Sequence, residues 1–316
     1  MEVLLVSLLN GLSWGLLLFL LASGLTLVLG LLGVLNFAHA AFTMLGAYLG
    51  WQIAQWCAQW GAQPGVTGAA PWSGFWLALV LAPLLTGLAG MVVQRLLLAR
   101  LRGRGHASEL LLTFALSWVV IEGVQLVWGR APLEMPLPAE LRANLFTLYG
   151  LGFPVWRGVV MGVALGVFGL AALVLWRARL GLVLRAALQR PAMVEALGHD
   201  LPRLQTLVFA AGSALAGLAG VLGGLALVIE PGMAEHLGSI AFVAVVLGGL
   251  GSLSGAFVAC LAIGLLQTLA VAFDTPLAGE LSLARAAPLL PYLALVAVLL
   301  VRPRGLFGLA DPARVR

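Results

Sequence analysis

VLLVSLLNGLSWGLLLFLLASGLTLVLG, residues 3–30, runs through 28 positions without a charged side chain. The hydrocarbon core of a bilayer is about 30 Å thick, so a helix that crosses it needs about 20 mainly apolar residues. This stretch is long enough. It lacks a basic leading segment and is too long for the apolar part of a secretory signal. No small-residue cleavage pattern followed by a soluble domain comes after it. It reads as a true membrane span.

The remaining sequence repeats that pattern. Of 316 residues, 62% are hydrophobic and only 9% charged, and the mean hydropathy is +1.09. A soluble globular domain carries about 25% charged residues, so lipid rather than water must cover most of this surface. Candidate spans are 3–30, 38–60, 75–97, 108–128, 153–176, 206–229, 236–250, 255–273 and 286–301. The seventh is short and ends in glycine, which predicts that 236–250 and 255–273 form a tight or partly re-entrant pair. The expectation is an all-α polytopic membrane protein of about eight to nine transmembrane helices, forming one transmembrane domain over residues 1–316.

Charge placement orients these spans. All 17 basic residues are Arg. Arg95, Arg100, Arg102 and Arg104 follow the third span; Arg177, Arg179, Arg185, Arg190 and Arg203 follow the fifth; Arg302, Arg304, Arg314 and Arg316 form the tail. Nine spans put all three groups on one side, and the positive-inside rule makes that side the cytoplasm. The N-terminus is then outside and the C-terminus cytoplasmic. The formal charge of +5 is thereby read as topology rather than nucleic-acid binding. The outer connections are Gly/Pro-rich 61–74, with Trp72 and Trp76 near the interface, and the loop 129–152 with Pro132, Pro136 and Pro138. Cys57 and Cys260 both lie in apolar segments and imply no disulfide framework. No soluble domain large enough for an enzyme is present, and no GxxxxGK[ST] motif occurs, so the chain does not itself hydrolyse ATP.

Several polar or glycine-rich positions break the apolar runs. The longest is 177–206, RARLGLVLRAALQRPAMVEALGHDLPRLQT. Leu182, Arg185, Ala186 and Gln189 predict one short helix; Pro191 suits the first turn of a second, with Glu195 early in it and Gly198 as its C-cap. Such a segment is either an amphipathic connector or a cytoplasmic elbow that receives motion from a partner. Gly248, Gly249, Gly251 and Gly255 crowd the seventh connection, as a tight inner turn or as irregular backbone lining a cavity. Asn36 and His39, three apart on one face, either cap the second helix or line a transport path. Glu122, with Gln125 on the same face, needs a partner or water because a charge inside a span is costly. Four scattered histidines give no metal-ligand spacing.

These residues carry a resemblance. GLTLVLGLLGVLNFAHAAFTMLGAY, TFALSWVVIEGVQLVWG, LRAALQRPAMVEALGHDLPRLQTLVFAAGSALAGLAGVL, FVAVVLGGLGSLSGAFVACLAIGLLQT and the tail LVRPRGLFG occur in this order over nearly the whole chain. Together they resemble the permease subunit of the branched-chain amino acid ABC importers, the shorter of the two permease types. The Asn-Phe-Ala-His element separates that type from its longer partner. The sequence departs from the pattern at Ala40 and Ala41 after the His, and over 129–152.

The resemblance implies a non-catalytic permease in the bacterial inner membrane that imports branched-chain or related hydrophobic amino acids. Relatives of this type also carry urea, short amides and aromatic or dicarboxylic acids, which stand as alternatives. The implied partners are two ATPase subunits that bind ATP-Mg, a second, longer permease or another copy of this chain, and a periplasmic substrate-binding protein. This chain would bind no cofactor or metal. The substrate path is expected at Asn36, Phe37, His39, Glu122, Gly248, Gly249 and Gly251. ATPase coupling is expected at Arg185, Arg190, Glu195, Ala196, Gly198 and Asp200. A rival reading, a secondary transporter without ATPases, normally couples through ionisable groups at mid-depth; here only the off-centre Glu122 is offered.

Overall fold

The computed structural model describes residues 2–33, 36–61, 70–101, 105–148, 150–189, 191–278 and 281–308. Its elements follow in the order α1 (Glu2–Leu32), α2 (Ala38–Gly61), α3 (Ala70–Leu96), α4 (His106–Trp128), α5 (Ala139–Arg142), β1 (Asn144–Leu148), β2 (Leu151–Pro154), α6 (Val155–Arg177), α7 (Arg179–Gln189) and α8 (Pro191–Ala196). Then come α9 (Leu201–Gly223), α10 (Met233–Gly248), α11 (Leu253–Ala272), β3 (Pro276–Ala278), β4 (Leu281–Ser282), α12 (Leu283–Ala286) and α13 (Leu290–Val301). The molecule is an all-α polytopic membrane protein.

Each apolar run of the sequence has become a helix. Among the described residues, seven helices are long and apolar enough to cross a membrane. The other two expected spans differ for separate reasons. α2 has 24 residues, but Gln52, Gln55 and Gln59 lower its hydropathy. Gln52 accepts from Trp128 of α4 at 2.9 Å, and the helix packs among α1, α3, α4, α9 and α10, leaving Gln59 exposed near its end. α10 has 16 residues, about 24 Å at ~1.5 Å per residue, short of the ~30 Å core. The sixth span, expected at 206–229, starts earlier and stops at Gly223. Asp200 caps it through a bond from the Arg203 N–H, and the chain beyond it leaves the helix so that Ile229 can pair with Leu133.

Two antiparallel hairpins, β1–β2 and β3–β4, were not expected from the sequence. The first closes at Gly150, whose φ is +80°. Phe146 stacks on Phe153 across it, with centroids 5.1 Å apart. Ring stacking and a glycine turn hold extended a segment with too few apolar residues to span.

α1 is the axis of the bundle: most of it is buried, whereas α6 and the segment Leu283–Val301 are largely exposed. Lipid tails are as apolar as leucine, so helices associate here by close packing rather than by escape from water. The contacts match that demand. A Cβ at Gly15 would stand 2.8 Å from the Cys260 carbonyl oxygen on α11, and one at Gly87 would meet Ala214 of α9 at 3.0 Å. Gly46 lies directly on the Gly217 backbone between α2 and α9.

Candidate functional site

The start of α2 is built by Asn36. Its Oδ1 accepts the Ala38 N–H at 3.1 Å, and its backbone carbonyl accepts the His39 N–H at 3.2 Å, an N-terminal cap. His39 donates through Nε2 to the Leu21 carbonyl oxygen of α1 at 2.9 Å. Its ring fits against Gly24, where any side chain would strike both the imidazole and the Gly212 backbone of α9.

These contacts fix the depth of the site. At the expected outer end of α1, Asn10 accepts from Arg157, whose guanidinium lies over Trp156 with 5.2 Å to the ring centroid. Charged and aromatic groups of this kind mark a membrane interface. Leu21 lies midway along α1 between Asn10 and Leu32, about 17 Å from each at ~1.5 Å per residue. His39 therefore stands beside the middle of α1, and α2 begins there rather than level with the end of α1.

Both side chains are buried, and among the described residues the Asn36 Nδ2 and the His39 Nδ1 have no partner. They border a cavity of about 380 Å³. Leu25 of α1 and Phe37, Ala40 and Ala41 beside them form one side. Phe114, Ser117, Trp118 and Ile121 of α4 form the second; Ala234, Glu235, Gly238, Ser239, Ala241 and Phe242 of α10 form the third. Most of this wall is apolar. Phe37 meets Phe114 edge to face with centroids 6.3 Å apart. Ser239 Oγ accepts from Tyr292 at 2.9 Å and donates to the His236 carbonyl at 2.9 Å. Glu235 is exposed to the cavity with no hydrogen bond or ion pair among the described residues. The arrangement offers an apolar chamber with N–H donor capacity at Asn36 and a carboxylate at Glu235.

The other expected path residues lie elsewhere. Glu122 is exposed on α4, one turn beyond Trp118 and outside the cavity wall. Gly248, Gly249 and Gly251 form the turn from α10 to α11, which of the two sequence readings is the tight turn. Gly249 and Gly251 have φ of +104° and +78°, values that a side chain would strain. Gly248 abuts Gly255, and the tail closes over the turn with Leu306 N–H to Leu247 O at 2.9 Å and Phe307 N–H to Gly248 O at 3.0 Å. These glycines do not join Asn36 and His39.

In the elbow, α7 and α8 form as a helix pair. Gly198 ends α8 at φ +85°, with its N–H on Glu195 O at 2.9 Å and the His199 N–H on Val194 O at 3.2 Å, a Schellman motif. Glu195 and Ala196 are exposed; Arg185 bonds back to the Gly181 carbonyl at 3.3 Å. Asp200 pairs with Arg203 at 2.7 Å. Arg190 lies outside the described residues, as do Arg102, Arg104, Arg314, Arg316 and most of the 61–74 connection.

Sequence reasoning missed Glu235, Ser239, Phe114 and Trp118. The last two sit four apart on one face of the fourth span, a legible signal. Glu235 follows Pro231 and Gly232 and reads as loop, which conceals its place in the first turn of α10.

The family profile described as branched-chain amino acid transport system, permease component, matches residues 7–299. The chain is 30% identical to the high-affinity branched-chain amino acid transport system permease protein BraD of Pseudomonas aeruginosa, over 98% of this chain and 97% of that one. It is 29% identical to LivH of Escherichia coli K12, over 97% and 96% of the two chains. A probable branched-chain amino acid transport permease protein LivH of Methanocaldococcus jannaschii is 27% identical over 92% of this chain and 89% of its own. No solved structure matches.

Proposed function

Since the chain belongs to the branched-chain amino acid transport permease family, and is a non-catalytic membrane subunit of a transport system, we propose that it is one permease of an ATP-driven importer in the bacterial inner membrane. Its partners are two ATPase subunits carrying ATP-Mg, a longer permease or a second copy of this chain, and a periplasmic binding protein. The arginine-rich end faces the cytoplasm, with the N-terminus outside. α7, α8 and the Gly198–Asp200 corner form the elbow that takes motion from the ATPases.

The substrate is an amino acid with an aliphatic side chain. The observation that carries this is the mid-depth chamber of about 380 Å³, apolar except at a few points. A zwitterion would set its carboxylate against the Asn36 amide, its ammonium against Glu235, and its side chain among Phe37, Phe114 and Trp118. Binding sites for small molecules have this composition, mostly apolar walls with a few polar groups that fix orientation.

The test is uptake of labelled leucine into proteoliposomes holding this chain, its co-encoded permease and ATPases, and the binding protein. Uptake should require ATP and every subunit. Accumulation by this chain alone, driven by an ion gradient, would overturn the proposal in favour of a secondary transporter.

A further inference from the structure

The arginine-rich end of the bundle holds a second concavity, about 480 Å³ in volume, that is separate from the mid-depth chamber. It opens between the last turn of α3, the first turn of α7 and the start of α9. Arg95, Arg179 and Arg203 stand at it, and Met91, Leu204 and Leu207 form its apolar side.

Its charge is unbalanced. Asp200, the one carboxylate among its lining residues, is engaged with Arg203 at 2.7 Å and with the Arg203 N–H at 3.0 Å. Arg95 and Arg179 are exposed, and neither has a hydrogen bond or ion pair among the described residues. Two guanidinium groups from different elements therefore face one opening with no carboxylate to meet them among the described residues.

Its depth is that of a lipid headgroup. Gly212 of α9 packs against Gly24 close to mid-bilayer. Arg203, nine residues nearer the end of α9, stands about 14 Å below that level at ~1.5 Å per residue, next to the edge of a ~30 Å hydrocarbon core. Arg95 starts higher, beyond the Gly90–Ser213 contact, and its long stem lets the charged group reach the interface. Leu207, at the apolar side of the groove, is 52% exposed. α7 leaves Leu180 and Leu182 exposed beside Arg179, as a helix lying in the interface would.

We propose that this groove binds one anionic phospholipid. Arg95 and Arg179 hold its phosphate through guanidinium forks, which match phosphate oxygens in geometry, and an acyl chain lies along Leu204 and Leu207. A zwitterionic lipid is disfavoured because its own cation competes for the phosphate. A free phosphate ion gains nothing from the apolar wall.

The experiment is native mass spectrometry of the full chain in detergent, titrated separately with phosphatidylglycerol, phosphatidylcholine and inorganic phosphate. One phosphatidylglycerol should be retained with about thirtyfold preference over phosphatidylcholine, in line with the attraction of two arginines for an anionic lipid. Arg95→Gln/Arg179→Gln should abolish that preference, while Arg177→Gln, outside the groove, should keep it. Equal retention of the two lipids by the unaltered chain overturns the proposal without reference to any variant. So does displacement of phosphatidylglycerol by equimolar phosphate. Co-purification of the same double variant with the ATPase subunits is measured beside it: a variant that keeps the lipid but loses the ATPases assigns the arginines to a protein interface, and the lipid site falls.

Discussion

The imidazole of His39 donates to the carbonyl oxygen of Leu21 at 2.9 Å, joining the beginning of α2 to the middle of α1. The Leu21 carbonyl lies inside α1, where the backbone ladder also serves it, so the imidazole chiefly fixes where the second helix starts. With Nε2 committed as donor, Nδ1 is the nitrogen left over, buried and without a partner among the described residues.

His39→Leu should lower the melting temperature only slightly, since one net hydrogen bond contributes about 1 kcal/mol, yet should strongly reduce uptake. His39→Gln, which retains a donor, should recover part of the transport. Thermal unfolding and uptake at equal permease content separate the two effects. Unchanged uptake in both variants would reduce His39 to packing.

Asn36 combines a cap with a free amide, and two substitutions pull these apart. Serine caps about as well as asparagine, whereas alanine loses roughly 1 kcal/mol of helix stability. Asn36→Ser should therefore insert and melt like the unaltered chain but transport poorly. Asn36→Ala should do worse on both counts while still binding the ATPases. Normal uptake by the serine variant would confine Asn36 to capping.

Glu235→Gln keeps the size of the side chain and removes its charge. The maximal rate of amino acid uptake should fall about tenfold, consistent with loss of a charge-assisted hydrogen bond of roughly 1.5–3 kcal/mol. Association with ATPases, measured by co-purification, should not change. Full uptake by this variant would exclude Glu235 as the ammonium partner.

Gly198 holds φ at +85° in the elbow. A β-branched residue there is strained by about 1–2 kcal/mol and re-aims the chain toward α9. Gly198→Val should insert but uncouple, with weak ATPase binding or ATP hydrolysis unlinked to uptake, whereas Gly198→Asn should retain most coupling because asparagine tolerates this conformation. A valine variant that couples normally would remove the elbow from the mechanism.

The topology has a direct check. A reporter active only in the periplasm, fused after Arg316, should be silent. Activity there would invert the assignment of the arginine-rich end.

Much of this architecture is legible in the sequence because the length and polarity of each apolar run are sufficient to define a helix. The runs at 108–128 and 255–273 correspond to α4 and α11 within two residues at each end. Gly198 is legible too, since Pro191 and Glu195 frame the helix it terminates. Depth is not legible. Asn36 and His39 read either as a helix cap at the inner interface or as residues of a transport path, and only the contact of His39 with Leu21 shows that α2 begins beside the middle of α1. Glu235 was hidden for a related reason: the irregular stretch after Gly223 carries it to the chamber.

The packing of α1 on α11 has a consequence for biosynthesis. Gly11 and Gly15 of α1 fit the backbone around Cys260, Gly264 and Leu265 of α11, yet roughly 220 residues separate the end of one helix from the start of the other. At ~5–20 residues per second, translation takes roughly 10–45 s to cross that gap. Throughout this interval the central helix lies in the bilayer with its glycine face uncovered, while α2, α3 and α9 arrive in turn. Docking of α11 is therefore a late step within the membrane, and a ribosome that stalls before residue 253 leaves an inserted chain whose Gly11–Gly15 face has no partner.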